Sequence, residues 1–324
     1  MQVPSSVVAF LSAHQRYLVS THVNPDGDGL GSAMALRWAL NRSGKRAEVV
    51  IESAPPSTYD YFADFAAIGT FERGNPFGAE SPDALVIVDA PTIERLGKVA
   101  GLVPAGTPIL IIDHHPADQW EGDVLFVEST ASSSAELVYR VVKAMGQSVD
   151  TAAAVYLYSG LIIDTGRFRF SNTSPSALVA ASELVAAGAE PHTISERLFH
   201  NNSWETTKAL GRLIDTIELH AGGKIATCHF TLDFVTSPEW KKIDTEGFVN
   251  HALAIQGVEV AALLREAKPG VTRASLRAKH TVDVNKIAQQ FGGGGHAKAA
   301  GLTIEAPLME ARATLLAAIE KALG

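Results

Sequence analysis

Short apolar runs alternate with stretches of helical periodicity through the first 190 residues, the order expected of a parallel α/β sheet. Strands are predicted at 17–20, 47–51, 84–88 and 109–112. The last two runs are continuously apolar, as strands buried on both faces are. Helices are predicted at 30–43, stopped by Gly44, at 132–145 with small polar residues at its start, and at 174–187, closed by Gly188. Residues 152–163 are apolar all round and read as a buried helix leading directly to Asp164.

From 191 to 219 the pattern becomes helical and more polar, with a break at Asn201, Asn202 and Ser203, and reads as a helical linker. Residues 220–324 then read as a smaller α+β unit, with strands at 224–232, 258–266 and 273–278 and helices at 241–254, 284–291 and 308–323. The predicted fold is therefore α/β: a doubly wound, mostly parallel sheet over 1–190, and a second, smaller α+β domain across a cleft.

The length of 324 residues suits one large or two ordinary domains, since a single core rarely grows beyond ~250–300 residues. With 46% hydrophobic and 19% charged residues it can bury a sizeable core. The one cysteine, Cys228, excludes an intramolecular disulfide framework and a paired-cysteine zinc site. The start, MQVPSSVVAFLSAH, lacks a basic segment and a long apolar stretch, so a cytoplasmic setting without a membrane anchor is expected. The net charge of −8 argues against coating long duplex nucleic acid, which needs a basic excess. A small anion captured locally fits better.

The chemistry falls where the apolar runs stop: His22, Asp26 and Asp28 in THVNPDGDGLGS, Asp89 in ALVIVDAP, His114 in ILIIDHHP and Asp164 in GLIIDTGRF. Carboxylates and imidazoles suit hard or borderline divalent cations. Ligand sites of open α/β sheets lie outside the carboxyl ends of the strands, so these residues can converge into a two-metal hydrolase site. In the first cluster a turn over 25–29 would bring Asp26 and Asp28 together, with Gly27 and Gly29 easing its backbone. Capping aspartates, or a dinucleotide-binding glycine turn, are the other readings of this cluster, although carboxylates there would repel a pyrophosphate. Asp89 alone could be a turn former; as the next strand end it could bridge two cations. In Asp113-His114-His115, one histidine can bind metal and the other act on phosphate, with Asp113 orienting an imidazole; a buried structural pair is the alternative.

Gly292–Gly295 before His296 offers backbone N–H groups to an anion, with His296 and Lys298 as further donors; a flexible linker is the bland reading. Arg273, Ser275 and Arg277 share one face of their predicted strand and could bind phosphate or simply be solvated.

Taken in order, HVNPDGD, VDAP, DHHP, IIDTGRFRF and GGGGHAKAAG resemble the DHH phosphoesterase superfamily with a DHHA1-type C-terminal domain, over nearly the whole chain. At this length the chain looks like the stand-alone oligoribonuclease/pAp phosphatase (nanoRNase) branch. The resemblance implies two cations, usually manganese (Mg2+ or Co2+ being alternatives). One would be held by His22, Asp26 and Asp89, and the other by Asp28, Asp89, His114 and Asp164. His115 would face the scissile phosphate, while Gly293, Gly294, Gly295 and His296 with Arg273, Ser275 and Arg277 would hold the substrate's terminal phosphate or nucleotide. The implied substrates are short RNA, cut to 5′-mononucleotides, and 3′-phosphoadenosine 5′-phosphate. A cyclic- or linear-dinucleotide phosphodiesterase and a catalytically silent nucleotide sensor are the competing functions. The oligomeric state is open, a homodimer being one option.

Overall fold

The computed structural model describes residues 2–324 except 118, 241, 242, 244 and 246. Two units divide the chain after Asn201. The first contains β1 (Arg16–Ser20), β2 (Arg46–Ile51), β3 (Gly69–Thr70), β4 (Ala84–Val88), β5 (Ile109–Asp113) and β6 (Val124–Val127). They form one sheet in the order β3-β2-β1-β4-β5-β6, and every pairing is parallel. The strand order reverses between β1 and β4, which makes their carboxyl ends the switch point where such sheets bind ligands.

Among the described residues, the helices of this unit are α1 (Ser5–Ala13), α2 (Gly27–Arg42), α3 (Ser134–Ala144), α4 (Thr151–Asp164), α5 (Pro175–Ala186) and α6 (Pro191–Phe199). Alternate strand residues, Tyr17, Val19, Val86, Val88, Leu110 and Ile112 among them, share one core with α2, α3 and α4. Leu18, Val50, Leu85, Ile87 and Ile111 point the other way, where 3-10 turns over Ile93–Leu102 bring Leu96 and Val99 to cover them. The central strands thus bury both faces, which is why they lack polar alternation.

The second unit carries β7 (Glu218–His220), β8 (Ile225–Phe230), β9 (Val260–Lys268), β10 (Val271–Ala278), β11 (Gly294–His296) and β12 (Ala299–Ile304), ordered β11-β12-β10-β9-β8-β7. Only the β8–β9 pairing among these is parallel. Helices α10 (Val284–Gln289) and α11 (Leu308–Leu323) pack on one face; α7 (Trp204–Ile214), α8 (Leu232–Thr236) and α9 (Val249–Leu253) lie on the other. Cys228 is buried in this second core, which pushes its thiol up to about 12.

Several elements depart from the sequence pattern. The span 191–219 serves both cores, Ile194 of α6 joining the first and Ala209 and Leu213 of α7 the second, because each helix carries its own apolar stripe. The helix expected over 241–254 is seen only at Val249–Leu253: positions 241, 242, 244 and 246 lie outside the described residues, and Gly247 adopts φ +81°. The glycine-rich stretch is no open loop; Gly294–His296 is an edge strand paired with β12. The buried helix expected over 152–163, by contrast, is seen at Thr151–Asp164, with Asp164 as its last residue.

Candidate active site

His22 and Asp26 follow β1, and Asp26 caps α2, its Oδ1 accepting from Asp28 N at 2.9 Å and Gly29 N at 3.1 Å. Residues 27–29 are therefore the first helical turn rather than a free turn. Gly27 and Gly29 serve space, not backbone angle: a Cβ at Gly29 would strike Thr21 Oγ1, and one at Gly27 would strike Ile163. The compaction places Asp28, fully buried, against the N-terminus of α3, where Ser134 N at 2.7 Å and Ala135 N at 2.8 Å donate to its two oxygens.

Asp89 follows β4 in a left-handed conformation, φ +59°, which a side-chain-bearing residue holds only where its surroundings demand it. Its two oxygens face opposite ways. Oδ2 lies 3.5 Å from His22 Nε2, which is also 4.0 Å from Asp26 Oδ1. Oδ1 lies 3.7 Å from His114 Nε2 and accepts from Ser134 Oγ at 3.0 Å. His114 Nε2 is in turn 3.8 Å from Asp28 Oδ2 and 3.0 Å from Asp164 Oδ2. The Nδ1 of His22 meets the Val23 carbonyl at 2.9 Å, which turns Nε2 toward the cluster. All six sequence-predicted metal residues thus come together around Asp89.

His115 stands beside them. Asp113 Oδ1 accepts from the His115 backbone N–H at 2.9 Å and meets its Nδ1 at 2.8 Å, and Asp89 Oδ1 is 3.5 Å away. Asp113 is therefore the residue that orients this ring, while His114 faces the carboxylates. Ser134 was missed by sequence reasoning; the run of serines opening α3 was the available signal, and only packing shows that one of them reaches Asp89.

Charge crowding dominates the electrostatics. Loss of solvent, with Asp89 and Asp164 nearby, pushes the Asp26 carboxyl up to about 7, and the same causes hold Asp28 well above the usual range. Burial acts against ionised Asp89 too, but the hydrogen bond from His22 and the charges of His115 and His114 outweigh it and keep its pKa low. Burial likewise opposes the His22 imidazolium, yet the hydrogen bond and charge of Asp89 raise it to about 9. His114, through Asp164, and His115, through Asp113, are raised in the same way. Within the first unit, among the described residues, three groups have donor atoms within 4.8 Å of one another: His22/Asp26/Asp89, Asp28/Asp89/His114 and Asp89/Asp113/His115. Buried Asp113 Oδ2 has no hydrogen-bond donor among the described residues. Crowded, partly protonated carboxyls among imidazoles are what a divalent cation would relieve, so the donor set fits a metal centre.

In the second unit, Arg273, Ser275 and Arg277 do share one face of β10, as expected, and line a cavity of about 270 Å³ with Arg265, Leu263, Val249, Thr245 and Gly247. Arg265 lies directly across from Arg273. Three guanidiniums in so small a space favour an anion. Gly294 and Ser275 both pair with Gly301, and His296 and Arg277 both pair with Ala299, so His296 stands on the same sheet face as Arg277. Gly293 and Gly295 are demanded by close backbone contact, since a Cβ there would strike the carbonyls of Gly301 and Ala299. Lys298, expected as a donor to ligand, instead donates to the carbonyls of His280 and Val282.

A DHH family N-terminal domain model matches residues 16–161, and a DHHA1 domain model matches residues 208–324. The bifunctional oligoribonuclease and PAP phosphatase NrnA of Thermus thermophilus is 31% identical over 289 residues, 89% of this chain and 83% of the relative. The chain belongs to the DHH phosphoesterase family. NrnA of Bacillus subtilis is 29% identical over 93% of both chains. Among solved structures, an exopolyphosphatase-related protein from Bacteroides fragilis superposes with a TM-score of 0.89 at 25% identity, covering 98% of this chain and 95% of that one. RecJ of Thermus thermophilus in complex with Mn2+ shares the fold, with a TM-score of 0.53 at 13% identity over 98% of this chain and 54% of RecJ. The first unit is thus the DHH domain, and its cluster is built from the blocks that carried the resemblance. The second is the DHHA1 domain. Among the described residues no helix is long and apolar enough to cross a membrane.

Proposed function

We propose that this DHH protein hydrolyses short oligoribonucleotides to 5′-mononucleotides and removes a phosphate from 3′-phosphoadenosine 5′-phosphate. One observation carries the hydrolytic reading: the two Asp89 oxygens face separate His–Asp groups, 3.5 Å from His22 Nε2 and 3.7 Å from His114 Nε2. A carboxylate shared by two cations needs this layout. The relatives from Thermus thermophilus and Bacillus subtilis support the substrate class.

His22, Asp26 and Asp89 would hold one cation, and Asp28, Asp89, His114 and Asp164 the other; two Mn2+ suit this mixture of nitrogen and oxygen donors better than Mg2+. Such cations supply Lewis acidity and a water that ionises near neutral pH. His115, oriented by Asp113, whose hydrogen bond favours the imidazolium, neutralises charge on the phosphoryl oxygens or protonates the leaving oxygen. Arg273, Ser275 and Arg277, with His296 and the backbone of Gly293–Gly295, bind a phosphate or nucleotide of the substrate. Similarity to the cyclic-di-AMP phosphodiesterase PdeA of Listeria monocytogenes, 28% identical over 98% of this chain and 49% of that protein, favours a cyclic or linear dinucleotide as the second reading.

A product assay with manganese across short RNA, pAp, pApA, cyclic di-AMP and pyrophosphate tests both. Mononucleotides from RNA and AMP from pAp are expected; hydrolysis of cyclic di-AMP or pApA alone supports the second reading. No hydrolysis of any nucleotide would leave a nucleotide sensor. Asp89→Asn should cost on the order of a hundredfold or more on every substrate and lower the bound metal, because both cations lose a ligand. Activity above about a tenth of the unmodified protein's, with metal content unchanged, would sink the shared-ligand assignment.

A further inference from the structure

Immediately after Asp164 the chain makes a turn in which three successive residues, Gly166, Arg167 and Phe168, are left-handed, with φ of +55°, +64° and +59°. Two of these carry side chains, and such backbone persists only where its surroundings over-determine it, commonly at functional sites. Here the determinants are internal. Arg167 N donates to Ile162 O at 2.8 Å, Phe168 N to Thr165 Oγ1 at 3.2 Å, and Arg169 N and Phe170 N to Thr165 O at 2.9 and 3.0 Å. The outcome is that Phe168 packs on the first core, whereas Phe170 stays 47% exposed. One side of that ring rests on Gly166, where any Cβ would collide with it, so part of the ring is covered by protein and the rest faces outward.

Asn172 ties the turn to the metal residues. Its Nδ2 donates to the Asp164 carbonyl at 3.0 Å and to the Ser132 carbonyl at 2.9 Å, two residues before the Ser134 that donates to Asp89. The turn also carries Arg167, whose guanidinium lies 4.6 Å over the Phe199 ring, and Arg169, whose Nε donates to Gly166 O at 2.9 Å. Among the described residues neither pairs with a carboxylate. A half-covered aromatic ring resting on the glycine whose carbonyl holds Arg169, in the turn that leaves Asp164 of the acidic cluster, calls for a ligand with a flat apolar face and negative charge.

We propose that Phe170 is a nucleobase platform of the metal centre, stacking on the base next to the scissile phosphate, with Arg169 at its edge toward the phosphate. This rests on the nucleotide reading above and adds a residue that binds base rather than phosphate. Loss of an aromatic platform weakens binding of a stacked base by about tenfold or more. The test compares a dinucleotide with its abasic analogue, which keeps the same phosphodiester, on the unmodified protein and on Phe170→Ala. Expected are a roughly tenfold higher KM for the dinucleotide, kcat within about twofold, an unchanged KM for the abasic compound, and recovery in Phe170→Trp but not in Phe170→Leu. Equal shifts for the two substrates, or none, would overturn the platform.

If the alanine variant does not fold, Phe170→Leu takes its place against Phe170→Trp, with the same two outcomes. If the unmodified protein cleaves neither compound, the hydrolase reading fails separately. Binding then decides: AMP should bind more tightly than ribose 5-phosphate, and Phe170→Leu should abolish that preference. Equal affinities for the two, or a preference that survives the substitution, would again overturn the platform.

Discussion

Asp89 and Asp113 show how much a single residue's surroundings decide. Both end buried strands, yet Asp89 lies between the His22 and His114 rings while Asp113 bonds to His115 twice through one oxygen. The hydrogen bond of Asp113, with the charges of Asp89 and Asp113, raises His115 against the effect of burial. Asp113→Asn should therefore lower the His115 pKa, since the amide oxygen can still accept a hydrogen bond but carries no charge to stabilise the imidazolium. If His115 works in its protonated form, the alkaline limb of the pH–rate profile moves to lower pH and kcat falls on the order of tenfold. A limb that stays in place, measured at saturating metal, would remove His115 from the acid role. The residue types and their order were readable from the chain; which histidine faces the carboxylates and which faces Asp113 was not. Adjacent residues after a strand point apart, and only the surrounding elements determine what each meets.

At the scale of elements, α2 and α4 cross so closely that glycine is required. A Cβ on Gly31 would strike the Tyr156 carbonyl, and a Cβ on Gly160 would come within 2.7 Å of Ala135 Cβ and 2.8 Å of Asp28 Oδ1. Gly31→Ala should destabilise the protein by about 1–3 kcal/mol, because rigid backbone cannot yield to the added methyl, as denaturant unfolding would register. A cost below about 0.5 kcal/mol would mean that the helices separate freely. The same closeness delivers Asp28 to the N-terminus of α3, so packing and site geometry are one feature here.

The apolar runs located β4 and β5 and the long helices from sequence alone. They did not locate the start of α2, because Gly27 and Gly29 are poor helix formers and only the Asp26 cap and tertiary fit override them. Nor did they show β12, whose alternation of alanine, glycine and leucine is weak, or the β11 edge strand, whose glycines have no side chains to pattern.

Across the whole molecule, charge couples stability to metal and pH. Asp26, raised to about 7, and His22, raised to about 9, both hold protons more tightly folded than unfolded. Metal-free protein should therefore lose stability as pH rises from about 4 to 9, through the Asp26 window first and the His22 window next. Asp89, held low, opposes this slope only at the acid end and above about pH 5 is ionised in both states and adds none. Cations displace those protons, so the rise in Tm on adding manganese should widen from pH 6 to pH 9, and binding should release protons detectable as a buffer-dependent heat. A manganese-induced shift independent of pH would contradict the charge-crowded cluster.

The order of apolar runs determined the parallel sheet, because a strand buried on both faces leaves its imprint in consecutive residues. The types of side chain at the run ends pointed to cations and phosphate, since carboxylate, imidazole and guanidinium chemistry is intrinsic to each residue. Tertiary structure alone decided that Asp89 sits between two histidines, that Ser134 and the α3 N-terminus reach Asp28 and Asp89, and that Arg265 joins Arg273 in one cavity. Those relations join residues tens of positions apart, or adjacent strands in a register, and no local periodicity records a distance that only packing creates.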